Sequence, residues 1–134
     1  MIGVLIVSHG DIGTSLLTSA NQILGGEQKQ VATLSVWRAD DIDDLVLRAR
    51  ELIEGLDAGD GVMVLTDIFG ATPGNVVSRL LEDGRIEGVS GASLPMLLRV
   101  LTGRNGSLAG AVKRALTGGA EGVVHMNNDR CCDA

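Results

Sequence analysis

The chain has 134 residues, 45% of them apolar and 21% charged, enough for one domain with a substantial core. A net charge of −6 without a basic run, and only Trp37 and Phe69 as aromatics, exclude nucleic acid as a partner, by phosphate contacts or by base stacking. No apolar run nears the ~20 residues of a membrane span, no charged leader precedes the first apolar run, and two adjacent cysteines offer no disulfide framework, so a cytoplasmic protein is expected.

Residues 2–8 form a continuous apolar run, which predicts a strand buried on both faces. From Asp11 to Leu24, Ile12, Leu16, Leu17, Ala20, Ile23 and Leu24 share one helical stripe, and Gly25-Gly26 end it. Residues 31–36 predict a second strand. The stretch 39–59 is the strongest helix, with Ile42, Leu45, Val46, Ala49, Leu52, Ile53 and Leu56 on its buried face and aspartates crowding its first turn, where the helix dipole favours them. A third strand is expected at 61–67, a helix at 72–84, a weaker strand at 86–93, helices at 94–103 and 107–118, and a last strand at 121–127. This alternation predicts an α/β fold, a doubly wound, mostly parallel sheet covered by helices on both faces, as a single domain over 1–134.

In such sheets ligands bind beyond the carboxyl ends of the strands, near the point where strand order reverses. The first strand ends there in Ser8-His9-Gly10-Asp11, and the third leads into Thr66-Asp67, followed by Ala71-Thr72-Pro73. If these strands are neighbours, His9 and Asp67 meet. A carboxylate on one ring nitrogen fixes the tautomer and frees the other as base, ligand or nucleophile. Thr72 before Pro73 is expected as an N-cap, with free amides and a hydroxyl suited to an anion. Ser8 and Ser93 suit either the site or helix starts, and Gly10 and Gly70 suit close backbone approach or positive φ.

The segments "VLIVSHG" at 4–10, "LTDIFGATPGN" at 65–75 and "VSGASLPMLLRVL" at 89–101 resemble the mannose-family enzyme IIA domain of the bacterial phosphoenolpyruvate:sugar phosphotransferase system. The resemblance implies that His9 is the phosphoryl acceptor and that Asp67 orients its ring. It also implies phosphate contacts from Gly10, Asp11, Ala71 and Thr72, without metal or cofactor. The implied partners are the phosphocarrier HPr as donor and an enzyme IIB as acceptor, or a regulatory role. It further implies a homodimer that exchanges a C-terminal strand, here 121–127. Phe69 and Gly70-Ala71 stand where family members often carry Trp and Gly-Gly. No enzyme IIB domain is expected within this chain.

Two alternatives share features of this pattern. The phosphoryl-transfer subunit of dihydroxyacetone kinase has the same expected fold. A small tetrapyrrole metal chelatase also places His-Gly after its first strand, but needs a second histidine facing the first, and His125 is the sole candidate. "GDIGTS" at 10–15 lacks the full dinucleotide fingerprint, and Trp37-Arg38 occupies the region where a ribose-binding acid would stand. His125, Cys131 and Cys132 are read as a solvent-exposed tail, not a metal site.

Overall fold

In a computed structural model, which describes residues 1–128, nine elements alternate along the chain. They are β1 (Gly3–His9), α1 (Ile12–Leu24), β2 (Val31–Val36), α2 (Ile42–Leu56), β3 (Val62–Thr66), α3 (Thr72–Ser78), β4 (Ile86–Ser90), α4 (Leu94–Leu101) and α5 (Leu108–Glu121). All strand pairs are parallel and the sheet order is β2-β1-β3-β4.

The strands alternate their side chains between two cores, as their period of two demands. Leu5 and Val7 of β1, with Val62 and Val64 of β3, join the aliphatic face of α2 and the α3 residues Val76 and Val77. Val4 and Ile6, with Met63 and Leu65, face Ala20 of α1, Leu97 and Val100 of α4, and Ala111 and Ala115 of α5. These residues are almost wholly buried, which explains why β1 and β3 read as unbroken apolar runs. Gly3 is required where a Cβ would stand 2.6 Å from the Leu56 carbonyl oxygen.

Strand order reverses between β1 and β3. The helix after β1 packs on one face and the helix after β3 on the other, which opens a crevice at the carboxyl edge.

Three expectations are corrected. The helix expected to Gly84 ends at Ser78, because Arg79 and Leu80 donate to carbonyls three residues back, a tighter winding than α. Helix α5 runs on to Glu121, so the strand expected at 121–127 does not form within the chain; its apolar residues have no ladder partner among the described residues, and 122–128 carry a turn in which Asn128 donates to the His125 carbonyl. The helix start at Thr72 shifts by one residue. Ala71 takes the cap position without a side-chain bond, and Thr72 is the first helical residue. Proline lacks an N–H, and the first helical amides have no intrahelical acceptor anyway, so Pro73 fits the second position as well as the first.

Candidate functional site

His9 is the last residue of β1 and is paired in register with Val36 of β2. On its other side, Val7 pairs with Thr66, which brings Asp67 to the same edge as His9. The carboxylate then holds the histidine twice: Asp67 Oδ2 lies 2.8 Å from His9 Nδ1 and accepts the His9 main-chain amide at 3.1 Å. The imidazole is 49% exposed, whereas the Asp67 side chain is 10% exposed.

Burial works to raise the Asp67 pKa, but hydrogen bonds from the His9 ring and amide outweigh it and hold the carboxyl below its ordinary value. An ionised Asp67 accepts only, so Nδ1 carries the proton in this contact and Nε2 is the nitrogen left without a protein partner among the described residues. The result is an oriented, half-exposed imidazole backed by a nearly buried anion.

A cleft of about 350 Å³ adjoins the ring, lined by His9, Val36, Trp37, Arg38, Asp40 and Thr72. His9, Asp67 and Thr72 therefore meet as the sequence predicts. Asp11 and Ile12 line a neighbouring depression instead, with Ser15 and Leu94. Among the described residues, the amides of Asp11, Ala71 and Thr72 donate to no protein acceptor. The Gly10 amide differs: it donates to the Val36 carbonyl at 3.0 Å, so Gly10 cannot bind phosphate through its N–H. Its contribution is conformational. Its φ is +48°, and a Cβ there would lie 3.2 Å from the Trp37 ring.

The two serines are engaged at helix starts. Ser8, buried, accepts the Gly13 amide at 2.8 Å and caps α1 from within β1; Ser93 accepts the Met96 amide at the start of α4. Trp37, Arg38 and Asp40 were not among the predicted site residues. The signal for them was present, because they follow β2 at the same carboxyl edge. Asp40 accepts the Trp37 amide at 2.8 Å and so fixes this turn.

His125 is exposed beyond α5 and does not line the histidine cleft, and Cys131 and Cys132 lie outside the described residues. Among the described residues no group of three or more His, Cys, Asp or Glu side chains could hold a metal ion, and no helix is long and apolar enough to cross a membrane.

Comparison with known proteins places this geometry. The chain is 33% identical to the fructose-specific EIIA component of the phosphotransferase system from Bacillus subtilis (strain 168), over 76% of this chain and 70% of that one. It is 31% identical to the mannose-specific EIIAB component of Escherichia coli (strain K12) over 91% of its length, but spans only 38% of that longer protein. The crystal structure of the phosphotransferase system component EIIA from Streptococcus agalactiae superposes with a TM-score of 0.84 at 27% identity, covering 96% of this chain and 99% of the other. The profile of the EIIA-man family, described as the PTS system fructose IIA component, matches residues 3–117, and the chain belongs to that family.

Proposed function

We propose that the chain is a phosphoryl carrier of the phosphotransferase system, with His9 as the residue that bears the phosphoryl group. The observation that most supports this reading is the 2.8 Å contact between His9 Nδ1 and Asp67 Oδ2, on a half-exposed ring whose Nε2 has no partner among the described residues. The donor is phosphorylated HPr. Nε2 attacks phosphorus in line; the Nε2–P bond forms as the donor N–P bond breaks, and the electron pair leaves with the donor imidazole. The Nδ1 proton stays on His9, where Asp67 offsets the positive charge that develops on the ring. Positioning and electrostatics suffice for a loose transition state, so the scheme uses no metal and no cofactor. The free amides of Asp11, Ala71 and Thr72, with the Thr72 hydroxyl, are the donors proposed for the equatorial oxygens. The phosphoryl group then passes to an enzyme IIB, or stays as a regulatory mark.

A homodimer completes the proposal. An apolar groove of about 360 Å³ runs beside β4, between Phe69, Val77, Leu81, Val112 and Leu116. Among the described residues β4 has no strand on its outer side, while Val123, Val124 and Met126 are exposed on the segment after α5. The segment of a second copy fits both the groove and the edge.

The test is incubation with phosphoenolpyruvate, enzyme I and HPr, followed by intact-mass measurement before and after mild acid. The expected result is one acid-labile phosphoryl group, absent in His9→Ala. A wild-type chain that gains none, or an alanine variant that still gains one, overturns the reading.

A further inference from the structure

We infer that Arg38 is the cation that neutralises the phosphoryl group carried on His9. The inference rests on the function proposed above and adds a binding residue to it. A phosphorylated imidazole brings close to two negative charges. The surroundings of His9 are already acidic: Asp67 stands behind the ring, Asp40 lines the same cleft, and the chain carries a net charge of −6. Of the six residues that line the histidine cleft, Arg38 alone is cationic.

Arg38 is also unengaged. Its guanidinium makes no hydrogen bond or ion pair among the described residues, whereas Arg79, Arg85 and Arg99 are each paired with a carboxylate. No hydrogen bond or ion pair joins it to neighbouring Asp40 among the described residues; Asp40 Oδ2 accepts the Trp37 amide instead. The turn is held from two sides, by that bond and by the Gly10 amide on the Val36 carbonyl, so the backbone of Arg38 is fixed at the rim while its side chain stays exposed. A planar guanidinium presents paired N–H donors that match phosphate oxygens. Unphosphorylated, the cleft offers it the imidazole, the Thr72 hydroxyl and one Asp40 carboxylate, and it is bonded to none of them. Phosphorylated, it offers a dianion. Arg38 thus interacts differently with the two states, which is the condition for shifting the equilibrium between them.

The experiment measures the equilibrium constant for phosphoryl exchange between this protein and HPr, by intact mass, for wild type, Arg38→Ala and Arg38→Lys. Concentrations are kept low enough that the complex is not populated. An equilibrium constant compares the separate carriers, so a contact made only during docking drops out of it. The expected result for Arg38→Ala is a fall of roughly threefold to tenfold, as for a charge-assisted contact at a partly exposed site. Lysine should restore most of it, and added salt should lower the wild-type constant while leaving the alanine variant nearly unchanged. Unfolding curves for all three should coincide, since Arg38 is exposed. An unchanged equilibrium constant overturns the inference. If forward and reverse rates also slow together, Arg38 is a contact for the carrier instead. A wild-type chain that accepts no phosphoryl group on His9 defeats the function proposed above, a distinguishable result.

Discussion

One oxygen of Asp67 serves both the ring and the main-chain amide of His9, at 2.8 and 3.1 Å. The carboxylate therefore fixes the imidazole and the end of β1 together. Loss of Asp67 frees the ring to rotate and removes the charge that offsets an imidazolium. Asp67→Ala should lower the rate of phosphoryl transfer on the order of 100-fold, the scale of a displaced reacting group. Rapid-quench phosphorylation of a variant with an unchanged unfolding midpoint measures it; a wild-type rate would exclude the orienting role.

Acid should destabilise the fold through two carboxylates in particular. The Asp57 carboxyl is held below its ordinary pKa by the Gly59 amide first, then by the Gly61 amide and Arg85, which together outweigh the opposing effect of burial. Asp67 is lowered as well. A depressed folded-state pKa means that the unfolded chain binds the proton more readily. The stabilisation is thus complete above the ordinary carboxylate range and is lost as pH falls through the lower folded-state values. Urea midpoints measured from neutral to acidic pH should fall for wild type, and the fall should be shallower in Asp57→Ala. At neutral pH that variant should lose about 1–3 kcal/mol, with two loop amides and one guanidinium contact unpaired.

Ser8→Ala should act on stability through α1. It removes the acceptor of the buried Gly13 amide, and a Cβ on Gly13 would meet Ile6 and Ser8 at 2.9 Å, so nothing bulkier can replace the contact from that side. A loss of about 1–2 kcal/mol is expected by urea unfolding. An unchanged midpoint would mean that water reaches the orphaned amide.

Assembly gives a fourth outcome. In sedimentation velocity the full chain should run as a dimer, and Val123→Asp/Val124→Asp should run as a monomer with the same helical circular dichroism. A monomeric wild-type chain would remove the second copy from the groove beside β4.

Much of this architecture was legible because β1 and β3 are central. A strand covered on both faces must be apolar throughout, so Val4 to Val7 and Val62 to Leu65 announce themselves, and the polar residues that end them announce the site. His9 and Asp67 are those polar ends, and they meet because β1 and β3 are neighbours in the sheet. What the sequence conceals is contact that periodicity does not encode. Ser8 caps a helix five residues onward, from inside a strand. Leu80 and Leu81 continue the apolar rhythm of Val76 and Val77 while the backbone at Arg79 and Leu80 tightens into shorter turns. The run 121–127 has strand-like composition, but a strand also needs a neighbour, and composition cannot supply one. Trp37 and Arg38 were visible as the end of a strand, yet their approach to His9 depends on β2 lying beside β1, which only the strand order reveals.

The position of the two central strands has a last consequence. His9 ends β1, and Asp67 directly follows β3, the two central and most deeply buried strands of the sheet. Fluctuations that fray an outer helix leave the backbone spacing of the two strand ends untouched, and losing that spacing requires opening the β1–β3 ladder. Heat should therefore abolish the pair in a single cooperative step that coincides with the global transition, without a warm regime of gradually loosened chemistry.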